Sequence, residues 1–190
     1  MTELDDAPVA SPPPVPKARS HRLLGVTLAV AALVIVLDQL SKAWAIANLR
    51  NQPPVKILGE WLQLNYTENT GAAFSLGAGF TVIFSLLAVV VAAVIVRTAS
   101  KLGSVGWAIA LGGLLGGALG NLIDRLTRQP GVGRGFVVDF IQLPHWPVFN
   151  VADMSIVGSA VLMVILAFRG VEVDGRRSVS DAGSAPASGA

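Results

Sequence analysis

The sequence predicts an all-α membrane protein: four transmembrane helices, with a small extracytoplasmic β-sheet, or cradle, between helices 1 and 2. Three observations carry that expectation. Hydrophobic residues make up 53% of the 190 positions and charged residues only 14%, against about 25% charged in a soluble domain. Four apolar runs are each long enough to cross about 30 Å of hydrocarbon. Between the first and second runs the hydrophobic period changes from that of a helix to that of a strand.

Residues 1–22 are rich in proline and alanine, carry their acids early and end on Lys17, Arg19, His21 and Arg22. This reads as a disordered cytoplasmic tail closing on a basic anchor. The first helix is expected from Leu23 to about Leu49. The alternative is that Leu23–Leu37 is the core of a cleaved signal; against it, the apolar stretch is at the long end for one, and Asp38 and Lys42 intervene before the small residues at Ala43-Trp44-Ala45. Asp38 and Lys42 stand four residues apart and can neutralise each other on one face. Inside a span such a pair faces protein or water; the alternative is a pair that snorkels to the interface.

From Arg50 to Ala78 the pattern alternates. Leu62, Leu64 and Tyr66 interleave with Gln63, Asn65 and Thr67, and Gly59-Glu60 supplies a turn before them. A hairpin or small curved sheet at the membrane surface is expected here. Glu68-Asn69-Thr70-Gly71-Ala72-Ala73 follows, with Asn69 able to donate and accept, though Asn is equally at home in a plain turn.

The second run, Phe80–Val96, and the third, Val105–Ile123, are joined by a short connection carrying Arg97 and Lys101. Short basic connections stay in the cytoplasm. Both termini then lie inside, and the two longer connections share the outer face. The third run holds Gly112, Gly116 and Gly120 on one row and Gly113 and Gly117 on the next, which lets helix backbones approach closely. Asn121, Asp124 and Arg125 close its outer end, as supports of a site or as ordinary helix termination. Past Gly131, Gly133 and Gly135, the stretch Phe136–Ile141 is expected to be short and extended, holding Asp139 in poorly solvated surroundings. His145 and Trp146 suit the interfacial belt, and His145 is not expected to be a catalyst. The fourth run starts at Phe149, with Asn150 a natural N-cap and Asp153 at the third helical position, and continues through Phe168. Residues 170–190 read as a second cytoplasmic tail.

Asp139 and Asp153 lie in stretches so apolar that each acid needs a reason. Taken singly, Asp139 can be a loop residue and Asp153 a helix-capping acid. Taken together, two carboxylates in low dielectric tend to share one proton, and such a pair can activate water and polarise a carbonyl. The helix N-terminus favours Asp153 as the ionised member. There is no cysteine, no His-Glu-x-x-His pattern and no Gly-x-Ser-x-Gly elbow, so thiolate, zinc and serine chemistry find no motif. A net charge of +2 without a basic stripe excludes a nucleic-acid surface.

Five blocks then stand in order: Asp38-Gln39-Leu40-Ser41-Lys42, Asn69-Thr70-Gly71-Ala72-Ala73-Phe74, Gly117 through Asn121-Leu122-Ile123-Asp124-Arg125, Val138-Asp139-Phe140 and Phe149-Asn150-Val151-Ala152-Asp153. With them the chain resembles the signal peptidase II family of bacterial inner-membrane aspartic peptidases. The resemblance implies a four-helix peptidase domain over residues 23–169, working at the extracytoplasmic face. It implies cleavage of diacylglyceryl-modified prolipoproteins on the N-terminal side of the lipidated cysteine. Asp139 and Asp153 fall on the catalytic pair. Asp38, Lys42, Asn69, Gly71, Asn121, Asp124, Arg125 and Asn150 fall on residues that order the site or contact substrate. No cofactor or metal is implied, the partners are prolipoprotein and membrane lipid, and the oligomeric state is left open, a monomer being compatible. Outside the family, a small proton-coupled transporter or a non-enzymatic assembly factor remain the alternatives; against the transporter, no inverted repeat is visible.

Overall fold

The computed structural model describes residues 17–70, 79–99 and 101–177. Its elements in chain order are α1 (Lys17–Leu49), β1 (Val55–Lys56), β2 (Gln63–Asn69), α2 (Gly79–Ala99), α3 (Val105–Thr127), β3 (Val137–Gln142) and α4 (Val151–Phe168). Among the described residues, three helices are long and apolar enough to cross a membrane: Ser20–Leu49, Val105–Thr127 and Val151–Phe168. The second apolar run coincides with α2, of which Ala88–Thr98 is a shorter apolar helix.

The central element is α3, which packs on α1, α4 and α2. Its two glycine rows explain how. A Cβ at Gly116 would lie 2.8 Å from the carbonyl oxygen of Ala31 on α1, and one at Gly117 would lie 2.5 Å from that of Ala152 on α4. Each row is therefore a groove for one neighbouring backbone, which in lipid substitutes for the missing hydrophobic drive. The packing expected of these glycines is what the helices show. Leu23, Ala31, Ile95, Leu102, Ala108, Leu111 and Leu115 form the core between α1, α2 and α3. The opposite face of α4 leaves Met154, Val157, Val161, Val164 and Phe168 exposed, as lipid-facing side chains are.

Two expectations for the chain ends need correction. Helix α1 begins at Lys17, six residues ahead of Leu23, inside the stretch read as tail. No proline stands between Pro16 and Pro53, and Lys17-Ala-Arg-Ser-His-Arg contains nothing that breaks a helix. Beyond α4, residues 170–177 form a tight turn, not a continuation of disorder. Val171 bridges Arg177, Gly103 N–H donates to Val173 O at 2.9 Å, and Trp107 Nε1 donates to Val171 O at 2.8 Å. The last two bonds join positions 70 and 64 residues apart, which no local pattern announces.

The sheet also differs from a hairpin between helices 1 and 2. Its order is β1-β2-β3, all antiparallel, so the stretch after α3 supplies a third strand. Val55 pairs with Leu64, and Thr67 pairs with Asp139. A bulge between Leu64 and Thr67 shifts the register by one residue. Ala45 and Leu49 of α1 pack with Val138 and Phe140 beneath the sheet, fastening it to the bundle.

Candidate active site

Strand β3 positions the first carboxylate. Gly135 makes the approach possible: its N–H donates to Arg125 O at 3.0 Å, and a Cβ there would lie 2.5 Å from Asp124 O, so only glycine lets the loop fold under the end of α3. Past the bulge, Thr67 faces Asp139 and Asn69 faces Val137, so Asn69 and Asp139 are diagonal neighbours on one face. Asn69 Nδ2 donates to Asp139 Oδ2 at 2.9 Å.

A second pairing brings in α4. The N–H groups of Phe140 and Ile141 both point at Phe149 O, and Phe149 N–H donates to Ile141 O at 3.0 Å. The residue after this bridge is Asn150, which caps α4 with a reciprocal capping box: its side chain accepts from Asp153 N–H, and its own N–H donates to Asp153 Oδ2. Its amide also donates to Asp139 Oδ1 at 2.6 Å and to Asn121 Oδ1 at 3.2 Å. Asn121 Nδ2 donates to Asp153 Oδ1 at 2.8 Å. Two asparagines thus tie both aspartates into one network, and each carboxylate oxygen accepts one N–H while keeping a lone-pair direction for another partner.

Asp139 is only 2% exposed. Burial pushes its carboxyl up to about 6, the charge of Asp153 adds to the rise, and the bonds from Asn69 and Asn150 with the charge of Lys42 hold it back. A cavity of about 390 Å³ beside it is walled by Thr67, Asn69, Thr70 and Pro147. Asp153 opens into a more apolar groove of about 420 Å³ between Leu143, Trp146, Phe149, Met154 and Val157.

Beneath the pair lies a buried ionic cluster. Lys42 Nζ contacts Asp38 Oδ2 at 2.8 Å, Asp124 Oδ2 at 2.9 Å and Asn121 Oδ1 at 3.0 Å, which uses all three ammonium hydrogens. All three charged side chains are fully buried, which rules out snorkelling for the Asp38–Lys42 pair. Asp38 Oδ1 accepts from Ala152 N–H in the first turn of α4, and Asp124 Oδ2 accepts from Val138 N–H in β3. Lys42 therefore holds the two acids that anchor the segments carrying Asp153 and Asp139. Arg125 is buried beside them, within electrostatic reach of Asp124, Asp139 and Asp153.

Of the residues singled out in the sequence, Asp38, Lys42, Asn69, Asn121, Asp124, Arg125, Asp139, Asn150 and Asp153 converge. Gly71 lies outside the described residues. His145 is exposed in a tight turn with φ 57°. Two participants were not singled out. Gln39 Nε2 donates to Asp38 Oδ2 and Gly120 O, both at 3.1 Å. Arg128 Nε donates to Asp124 Oδ1 at 2.8 Å. The signal for Arg128 was available, because Asp124 and Arg128 repeat the i, i+4 spacing of Asp38 and Lys42. Among the described residues no group of three or more His, Cys, Asp or Glu side chains is placed to hold a metal ion.

An apolar bundle with two amide-tied aspartates at the sheet end of its helices defines a class, the aspartic peptidases of membranes. Within that class, the chain belongs to the signal peptidase II family: the family described as Signal peptidase (SPase) II matches residues 30–169. The lipoprotein signal peptidase of Streptomyces coelicolor is 50% identical over 159 residues, covering 84% of this chain and 78% of its own. That of Streptomyces griseus is 52% identical over 157 residues, covering 83% and 80%. Two solved bacterial membrane enzymes superpose with TM-scores of 0.66 and 0.64 at 27% and 26% identity, covering 76% and 82% of this chain and 94% and 95% of theirs. The family assignment sets aside the transporter and assembly-factor alternatives.

Proposed function

We propose that this protein removes the signal peptide from diacylglyceryl-modified prolipoproteins, cutting on the N-terminal side of the lipidated cysteine, with Asp139 and Asp153 as its catalytic pair. The observation that carries the residue assignment is the Asn150 amide, which bonds Asp139 while the same residue caps the helix of Asp153. Asp153, at the N-terminus of α4, is the base: it takes a proton from water, and the hydroxide adds to the scissile carbonyl carbon. Asp139, whose carboxyl burial raises, holds the shared proton and gives it to the carbonyl oxygen. On collapse, one hydroxyl of the diol returns its proton to Asp139 as the carbonyl re-forms, the C–N bond breaks, and the amide nitrogen receives the proton that Asp153 took. The cysteine becomes a new N-terminus, and both acids return to their starting states.

The four apolar runs cross the membrane as α1 to α4, making a peptidase domain of residues 23–169. Arg97, Lys101, Arg169, Arg176 and Arg177 mark the cytoplasmic side, and both termini lie there. The sheet and the aspartates then meet at the extracytoplasmic face. Leu58, Trp61 and Trp146, exposed around the sheet, suit a seat in the headgroup layer. The apolar groove at Asp153 runs onto the exposed face of α4, a lateral entrance for a substrate already held in lipid. One copy supplies every group the chemistry needs. The test is cleavage of a diacylglyceryl-modified prolipoprotein by purified protein in detergent, with Asp139→Asn and Asp153→Asn as comparisons; a folded variant that cleaves at the wild-type rate removes that residue from the pair.

A further inference from the structure

Arg128 stands outside every block that carries the family resemblance, yet it completes the buried ionic cluster. It is the C-cap residue of α3, and its side chain is 19% exposed. Its Nε takes Asp124 Oδ1 at 2.8 Å, and its guanidinium lies 5.9 Å from the centre of the Phe136 ring. The other oxygen of Asp124 holds Lys42 and the N–H of Val138, the residue before Asp139. In direct ion pairs, Asp38 and Asp124 face Lys42 and Arg128, with Arg125 within electrostatic reach of Asp124. Without it, Asp124 loses one of its two direct ion pairs and Oδ1 keeps only the longer bond from Gln39 Nε2 at 3.4 Å, which loosens the hold on Oδ2 at β3.

We propose that Arg128 is a positioning residue for the peptidase reaction: by occupying Asp124 Oδ1 it keeps Oδ2 on the Val138 N–H and so sets where Asp139 stands at the scissile bond. The inference rests on Asp139 being catalytic. The loop beyond Arg128 reinforces it, because Phe136 N–H donates to Gln129 O and Gly135 N–H to Arg125 O, both at 3.0 Å, leaving β3 little slack between the helix end and the site. A misplacement of about 1 Å at a reacting group costs on the order of 100-fold in rate, so a loosened strand is read in kcat.

Three variants test it. Arg128→Gln removes the charge; Arg134→Gln, an exposed arginine in the same loop, controls for loss of loop charge. Arg128→His supplies a titratable cation, since the bonded atom is Nε and an imidazole Nε2 has nearly the same reach. The groups facing that position are Asp124 of α3, the Phe136 ring, and Tyr66 of β2, with Lys42 of α1 sharing Asp124. Arg128→Gln is expected to lower kcat about tenfold with KM within about twofold, and Arg134→Gln to match wild type. The kcat of Arg128→His relative to wild type should fall as pH rises through about 6.5. If Arg128→Gln does not fold, the histidine series decides alone, starting from acid pH. Wild-type kcat in Arg128→Gln, an equal loss in Arg134→Gln, or a flat histidine-to-wild-type ratio overturns the inference; a folded wild type that cleaves no lipidated substrate overturns the peptidase reading instead.

Discussion

The side-chain amide of Asn150 donates to Asp139 at 2.6 Å while its oxygen caps the helix that carries Asp153. One residue thus serves stability and geometry, and substitution can separate them. Asn150→Ser keeps an oxygen for the Asp153 N–H but has no amide to reach Asp139. Its stability should stay within about 1 kcal/mol of wild type, while cleavage falls by about 100-fold. Asn150→Ala should lose both. Thermal melts in detergent, set beside initial cleavage rates, give the comparison.

Lys42 joins Asp38 and Asp124 in full burial. Lys42→Met leaves two carboxylates without their shared cation, and breaking a buried ionic group in this way costs about 3–5 kcal/mol. Adding Asp38→Asn to Lys42→Met removes one of the orphaned charges. The double variant is therefore expected to melt at a higher temperature than Lys42→Met alone. A double variant that melts lower would show that the cost is one of packing and not of charge.

The balance just described was partly visible in the sequence. Asp38 and Lys42 at i, i+4 inside an apolar helix imply a shared buried face, because lipid would not tolerate either acid or amine alone. The two glycine rows likewise imply two close helix neighbours, and α1 and α4 occupy them. What stayed hidden depends on contacts between distant positions. The pairing of Thr67 with Asp139 spans 72 residues: the extended segment at Phe136–Ile141 is legible, but nothing within it names its partner strand. The clasp of Val171 and Val173 on Trp107 and Gly103 is hidden for the same reason. Arg128 is a different case: its i, i+4 spacing from Asp124 is visible, but with the helix expected to close at Arg125 that spacing falls past its end, whereas α3 continues to Thr127.

The carboxyl of Asp139 is pushed up to about 6 by burial, against about 3.9 for an unperturbed aspartate. Below about pH 4 both folded and unfolded chains hold the proton, and burial of this group carries no ionisation penalty. Between about pH 4 and about pH 6 the unfolded chain releases its proton first, so wild-type stability falls by about 2–3 kcal/mol and then levels off. Asp139→Asn does not titrate. The melting temperature of Asp139→Asn minus that of wild type should therefore rise from pH 4 to pH 7.5, whatever its sign at the start. A difference that stays flat across this range would mean that Asp139 ionises like an exposed carboxyl.

Gly117 and Gly158 lie on neighbouring helices but differ in what surrounds them. A Cβ at Gly117 meets the backbone of Ala152, while at Gly158 nothing lies within 4 Å. Gly117→Val should separate α3 from α4 and abolish cleavage along with several degrees of thermal stability. Gly158→Ala should leave stability intact or improve the helix slightly. Parallel melts and cleavage assays distinguish close helix approach from a general intolerance of added side chains.

The central claim is that Asp139 and Asp153 act together on the scissile bond. Its most direct measurement is cleavage of a diacylglyceryl-modified prolipoprotein by the purified protein in detergent, with wild type, Asp139→Asn and Asp153→Asn compared at matched folding. The predicted result is cleavage by wild type and a loss of at least about 1,000-fold in each variant, with the double variant no worse than either single one, since the two groups work as a unit. Wild-type cleavage surviving in either folded variant would contradict the account.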